Sequence, residues 1–481
     1  MSAVVGTESI PRIIHQIWIG PKPAPTKFMD TWKDKHPDFE YIRWTEHEIK
    51  KRGFVSNCQN RIDEMEELNG KADIIRWEIL YKYGGYFFDA DSICIEPIDD
   101  VLMKTKCFAG WEQEEVREGL IATGTMGFPP KHPLVKCAIE WIQDNCVNVA
   151  KTGLRAWITV GPCLLTKMYN TGKYKDMTIF PSHYFLPVHC TGLKYEGHSK
   201  IYQYQEWGST KQNYETMNQL ELPNEYTEPI TWVSVLIPSY NTKHVFVVEC
   251  LDSIKRQKGH FGIEIVWIND GSNKLNTNLL KRELERFQNT TRFVKIVYEE
   301  NDGNKGLGVS LNRGVLLCSN DIICRMDADD IMSDDRLQKQ INFMKNNKEC
   351  VLCGSQVRMF KTINNVKQVT GITNHEYIID VNKYKITKQH WLMNHPTFCF
   401  RKKEIIEVGN YNDSIHSMCE DFNLILRVLK KYKRIYNLQE VLLDYRLHED
   451  QLTYNGGKLG SVYWTDVRNK MIDRIVNDNN E

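Results

Sequence analysis

An excess of charge of either sign is missing from this chain: 62 Lys and Arg stand against 62 Asp and Glu in 481 residues. Without net charge there is no long-range pull on nucleic acid or anionic lipid, so no nucleic-acid partner is expected and partners must be sought in local sites. Long apolar runs are missing too. No stretch approaches the ~20 apolar residues that a membrane span requires. The opening MSAVVGTESIPRI has neither the basic nor the apolar segment of a secretory signal. No membrane span and no disulfide framework are expected, and the expected location is cytoplasmic. The 14 cysteines are scattered. Their one C-x-x-C, Cys350 to Cys353, has no second pair to complete a zinc site and lies in the apolar run ECVLCGSQV, where buried strand cysteines are expected.

What the chain does have is carboxylates in revealing places. In DIICRMDADDIMSDDR, Asp321 to Arg336, an apolar run ends in a burst of acids. Ile322 to Cys324 reads as the end of a buried strand, with Asp327, Asp329 and Asp330 at its carboxyl end, where open α/β sheets bind ligands. In extended chain Asp327 and Asp329 point the same way about 7 Å apart, so one can take a metal and the other a neighbouring hydroxyl. The plainer reading is an acidic turn with Ser333 as N-cap of the next helix and Asp334 and Asp335 in its first turn. That reading leaves the three earlier acids unexplained. A calcium loop does not fit, because Ile331 and Met332 stand where an EF-hand needs a ligand and a glycine.

The length implies two or three domains, since single cores stop growing near roughly 250 to 300 residues; two are expected. IPRIIHQIWIG (Ile10 to Gly20) is a first strand closed by three prolines. A helix near Thr26 to Lys35 and a strand EYIRW follow. KADIIRWEILYKY (Lys71 to Tyr83) carries Ile74, Trp77, Ile79 and Leu80 on a helical face and ends at Gly84-Gly85. Directly after it, GYFFDADSICIEPID repeats the theme as Asp89-x-Asp91. Asp73 and Arg76 share a helix face and could reach one ligand, or simply pair with each other. Elements alternate to residue 211, a polar stretch at 212–231 broken by Pro223 and Pro229 reads as a linker, and Trp232 opens a second domain over 232–481. There VSVLIPSYN, IEIVWINDGS and FVKIVYEEN are strands separated by helices, which predicts a parallel, doubly wound sheet with Asp270 and Asp327 facing one crevice.

At this level of detail the blocks are familiar. VSVLIPSYN, VWINDGS, NDGNKGLGVSLNRG, RMDADD, HPTFCFRK, EDFNLILRV and YRLHEDQLT, from about Val233 to His448, resemble the inverting glycosyltransferases of family two, which have the GT-A fold. IPRIIHQIWIG, ADIIRWEILYKYGGYFFDADSICIEP and TVGPCLLTK resemble the retaining family thirty-two, known for a sugar-binding region containing the DXD motif. The resemblance implies α/β architecture with two GT-A domains in tandem, and a bifunctional enzyme moving sugars from nucleoside-diphosphate donors, UDP first, to a glycan or glycoprotein. It assigns Pro238, Tyr240, Asp270, Arg325 and Asp327 to the donor, and Asp329 with His448 to a Mn2+ or Mg2+ ion. Asp421, in the pair Glu420-Asp421, becomes the general base, and His395 lies by the acceptor as the second choice for that base. In the first half it makes Asp73, Arg76 and Asp89 donor contacts and Asp91 a metal ligand. Family members commonly carry a histidine where YQYQEWGST has Gln205, whose amide oxygen would serve the metal instead.

Other classes also have a claim. FFDADS fits the first-strand D-x-D of haloacid-dehalogenase phosphatases, although here a long segment precedes it. The first half could also bind a nucleotide sugar or glycan without turning it over. A binder has no need of a base opposite a metal, so this applies mainly to the first half.

Overall fold

The computed structural model describes residues 9–221, 231–364, 366–412, 419–451 and 460–473. The chain forms two compact units, Met1–Tyr195 with Lys200–Thr227, and Glu196–Ser199 with Glu228–Glu481. No helix among the described residues is long and apolar enough to cross a membrane.

In the first unit the strands are β1 (Ile13–Ile17), β2 (Glu40–Trp44), β3 (Gly85–Phe88), β4 (Ser92–Cys94), β5 (Cys107–Gln113), β6 (Arg117–Phe128), β7 (Met177–Phe180) and β8 (Gln203–Gln205). Six build one sheet in the order β2-β1-β3-β6-β5-β7, in which only β6 runs against its neighbours. β4 and β8 pair apart from it, with Ser92 opposite Gln205. The helix Leu68–Tyr83 buries Ile74, Trp77, Ile79 and Leu80 as its spacing predicts, and it also buries Asp73, Arg76 and Glu78. It is enclosed on more than one side, and Trp77 Nε1 donates to Val160 O at 2.8 Å. Gly84 (φ +63°) and Gly85 (φ +101°) then turn the chain straight into β3. A Cβ on Gly85 would lie 2.6 Å from Ile13 O, so only glycine lets β3 pair closely with β1.

The expected linker is shorter than its composition implies. Residues 212–221 belong to the first unit: Met217 is fully buried and the Asn218 amide donates to Ala24 O at 2.9 Å. A polar sequence hid the apolar anchors that tie it down, Met217 with Tyr214 and Leu220 packed beside it. The rest of the expected linker, 222–230, lies outside the described residues.

In the second unit β9 (Trp232–Ser239), β10 (Gly262–Asn269), β11 (Val294–Glu300) and β12 (Ile322–Arg325) lie side by side in the order β11-β10-β9-β12, all parallel. Beyond β12 the sheet continues through β17 (Cys399–Arg401), β14 (Leu352–Ile363) and β18 (Arg434–Arg446). The first four strands are the expected doubly wound half, and their carboxyl ends share one edge. The following helix begins at Arg336, not at Ser333, whose hydroxyl instead donates to Asp335 at 2.9 Å. Cys350 and Cys353 are buried strand-edge thiols, and the fourteen cysteines are all free.

The helix Leu307–Leu317 reaches the sheet through Gly314, where a Cβ would come within 2.3 Å of Leu236 Cδ1 and 3.2 Å of Ile268 Cγ1. Gly314→Val should therefore lower the stability of the second unit by roughly 1–3 kcal/mol, read as a lower urea midpoint. An unchanged midpoint would show that helix and sheet are not in close contact there.

Candidate active site

The strand edge of the second unit is a concentration of negative charge. β12 ends in Arg325, and both Nη atoms of this buried guanidinium grip the Asp327 carboxylate at 2.8 and 2.5 Å. The chain then turns instead of running on extended, closed by Asp330 N–H donating to Asp327 O at 3.3 Å. The turn replaces the expected i, i+2 alternation and gathers Asp327, Asp329 and Asp330, with oxygens all within 4.8 Å of one another. Burial, then the neighbouring acids, push the Asp330 carboxyl well up; Arg446 N–H serves one of its oxygens, while Oδ2 is buried without a partner. Burial also pushes Asp327 up, against the pull of Arg325. His448 Nε2 lies 2.8 Å from Asp329 Oδ2, bringing together two residues that are far apart in sequence. Clustered acids with an unsatisfied oxygen fit a hard divalent cation, which Asp329, Asp327 and Asp330 would hold with His448 behind them.

Arg325, Asp327 and Asp329 line a cleft of about 710 Å³ that is also lined by Pro238, Tyr240 and Asp270. Asp270 follows β10, and its carboxylate accepts from Lys305 N–H and Gly306 N–H, both at 2.8 Å, and from the Asn301 amide at 2.7 Å. The helix Glu420–Tyr432 presents Glu420 and Asp421 to the same cleft from its first turn. Burial pushes the Asp421 carboxyl up, opposed first by the Phe422 N–H that it accepts at 2.6 Å. His395 shares the cleft, with Nε2 2.9 Å from the Tyr411 hydroxyl and Nδ1 3.8 Å from Glu420. Burial, then Arg325, drive its imidazole well below the ordinary value, so it is neutral.

In the first unit Arg76 Nη2 bridges Asp73 at 2.8 Å and Asp89 at 2.9 Å, so the helix face and the strand end meet. The pairing of β4 with β8 delivers Gln205 to the same place. Its Nε2 donates to Asp91 Oδ1 at 2.6 Å, and Gly208 N–H donates to Asp91 Oδ2 at 2.7 Å. Burial, then Asp89, raise the Asp91 carboxyl to about 7; burial likewise raises Asp73 to about 7. With the amide nitrogen facing Asp91, Gln205 must flip its amide before its oxygen can meet a metal.

Among the residues lining the second unit's cleft that sequence reasoning missed are His390, Trp391 and Arg468. Arg468 opposes the rise of Asp421 from a helix, Gly460–Ile472, that no motif marks. Trp391 is 59% exposed, and a tryptophan left in water above a cleft carried a signal only once the cleft was known.

A doubly wound sheet whose strand ends gather a D-x-D and its partners around one cleft defines a glycosyltransferase of the GT-A fold. Residues 234–409 match "Glycosyl transferase family 2" and residues 25–108 match "Glycosyltransferase sugar-binding region containing DXD motif". The amylovoran biosynthesis glycosyltransferase AmsE of Erwinia amylovora is 32% identical over 227 residues, covering 47% of this chain and 79% of that protein. The chain thus belongs to glycosyltransferase family 2, with a DXD sugar-binding region placed before the family-2 unit. The Escherichia coli UDP-Gal:alpha-D-GlcNAc-diphosphoundecaprenol beta-1,3-galactosyltransferase is 29% identical over 226 residues, 47% of this chain and 77% of that protein. Inositol phosphoceramide mannosyltransferase 2 of Schizosaccharomyces pombe is 27% identical over 196 residues, 38% of this chain and about half, 53%, of that protein. Among solved structures, S. aureus TarS 1–349 in complex with UDP-GlcNAc aligns with TM-score 0.37 and 16% identity, over 46% of this chain and 59% of that one.

A native carboxyl raised above its unfolded value binds protons more tightly when folded. The stability contributed in this way is complete below the unfolded value near 4 and is lost as pH rises through about 7. In chelator, wild-type protein should therefore lose stability between pH 5 and pH 8, and Asp91→Asn should melt a few degrees above wild type at pH 8 but not at pH 5. Parallel melting curves at both pH values would contradict the buried charge.

Proposed function

We propose that the second unit moves a sugar from a uridine diphosphate donor to a glycan or glycoprotein acceptor, inverting the anomeric carbon, and that the first unit holds a second donor site, making the chain bifunctional. The observation that carries this reading is one cleft lined both by Asp327 and Asp329 of the carboxylate cluster and by Asp421, with its raised carboxyl. Asp421 would take the proton of the acceptor hydroxyl as that oxygen bonds to the anomeric carbon and the bond to the diphosphate breaks on the opposite face. Arg325 fixes Asp327 for the ribose, Asp270 is held rigid for the uracil, and Glu420 braces the base's helix turn against His395. A divalent ion, manganese or magnesium, would neutralise the leaving diphosphate when held by Asp329 and its neighbours. A relative whose name specifies UDP-galactose supports uridine as the base. Fourteen free thiols suit the cytoplasmic location that belongs to this reading.

The second reading keeps the first unit as a binding module. It is favoured by Asp91, both of whose oxygens are already occupied by Gln205 and Gly208. Transfer measured over a panel of UDP-sugars decides between the two. With two active sites, Asp91→Asn in the full chain removes one transfer activity and leaves the other; with a binding module, every transfer activity survives.

For the second unit, Asp421→Asn should keep donor affinity, measured by calorimetry, while turnover falls by roughly a hundredfold or more. Asp329→Ala should weaken both metal-dependent donor binding and rate. Near-normal transfer by Asp421→Asn in an Asp91→Asn background would leave the inverting mechanism without its base.

A further inference from the structure

A second set of ligand atoms lies in the first unit, away from Asp89 and Asp91. Cys107 opens β5, His132 caps the helix Pro133–Asp144, and Asp176 immediately precedes β7. One ligand atom from each lies within 4.8 Å of the other two. Cys107 and His132 are buried, while the Asp176 side chain is 43% exposed and opens the group to solvent. The site is at the far end of the sheet from the D-x-D. Asp89 N–H donates to Gly124 O on β6, whereas Phe128, four residues on, lies beside His132 with tilted rings whose centroids are 5.1 Å apart. Four strand residues span about 13 Å.

Hydrogen bonding accounts poorly for this convergence. Cys107 Sγ at 3.6 Å and Asp176 Oδ2 at 3.5 Å both face the same ring nitrogen, His132 Nε2. A relay through histidine would use both ring nitrogens, but Nδ1 is occupied by a cap from Leu134 N–H at 3.3 Å. The contact to Asp176 also exceeds the 2.7–3.2 Å typical of N–H···O bonds, roughly the limit of a useful one. A buried cysteine packing as a small hydrophobe and a histidine capping its helix would explain two of the residues. Neither explains why an exposed aspartate turns in to meet them.

The spacings suit three ligands about a common centre. With zinc–sulfur bonds of about 2.3 Å and bonds to nitrogen and oxygen of about 2.0–2.1 Å, tetrahedral edges are about 3.6 Å from sulfur to nitrogen and about 3.4 Å from nitrogen to oxygen. We infer that Cys107, His132 and Asp176 form a zinc site in the first unit, independent of the carboxylate site that serves the donor. Thiolate and imidazole favour zinc over magnesium and manganese, so each site selects its own metal. Ligation through Nε2 moves the ring proton to Nδ1 and opens the long cap to Leu134. Water completes the fourth position. The ion ties the starts of β5, the helix and β7 together, and its binding adds to the stability of the folded unit.

Cobalt(II) substituted for zinc reports sulfur directly, through a thiolate-to-metal charge-transfer band that oxygen-only sites do not give. Full-length protein, stripped with chelator and titrated with cobalt, should develop this band at one equivalent, lose it to zinc and keep it in excess magnesium. Cys107→Ser should abolish the band. Asp176→Asn, at an exposed position that leaves the fold intact, should retain the band but weaken cobalt binding at least tenfold. Absence of the band in wild type, its survival in Cys107→Ser, or wild-type affinity in Asp176→Asn would each overturn the assignment.

Discussion

Acids held out of water beside other acids are the expensive feature of this chain, and buried guanidinium groups make them tenable. Two like charges 4 Å apart repel by about 4 kcal/mol at an effective dielectric near 20, a large fraction of a domain's whole stability. The second unit answers from within the same strand: Arg325, 1% exposed, meets Asp327 two residues later with a two-point grip. The first unit answers from a neighbouring element, with Arg76 reaching across from its helix to join Asp73 and Asp89. In neither case is the compensation complete. Asp327, Asp330, Asp73 and Asp91 all remain above the ordinary carboxylate range, chiefly through burial. That shortfall of positive charge is what a divalent cation supplies, so incomplete pairing in the protein alone is consistent with a metal-dependent site.

Backbone amides carry the rest of the load, and they dictate how the second unit packs. Asp270 is satisfied by two N–H groups at the start of the helix Leu307–Leu317 and by an asparagine amide. Those donors can be placed only if the helix lies hard against β9 and β10. Gly314 allows that approach. A glycine well inside a helix, costly by propensity, is thus linked to the orientation of a carboxylate at a strand end some distance away.

Much of this could be read from residue order, because strand periodicity and D-x-D spacing are local signals. β9 to β12 and the apolar face of the helix Leu68–Tyr83 follow from patterns a few residues long, whereas Asp89 was linked to Asp73 and Arg76 only by resemblance. The contacts that escaped are those decided by tertiary structure. The turn through Asp330 overrides the extended alternation because closing it brings a third buried carboxylate to the cluster. Met217 turns a polar stretch into part of the first unit. Arg468 reaches the cleft from a helix without a motif, and its influence on Asp421 is an effect of distance alone. His448 and Gln205 were placed by resemblance, and the sheet pairings explain why: β18 leads His448 to Asp329, and β8 carries Gln205 to Asp91.

The two units also differ in how far their acids are committed, and this bears on the proposed division of labour. Asp91 has a donor on each oxygen and a carboxyl raised to about 7, so at neutral pH a cation entering there competes with a proton, an amide nitrogen and a backbone N–H. In the second unit Asp330 still carries an oxygen with no partner. Asp421 is balanced within the same cleft: burial raises it, and the Phe422 N–H and the positive end of its helix lower it. Raised in this way, the carboxyl binds a proton more readily than a free aspartate does, which suits it to take one as the acceptor oxygen attacks. On the proposed reading the second unit has a carboxylate oxygen still open to a metal, while the first must exchange hydrogen bonds for a metal before it can act.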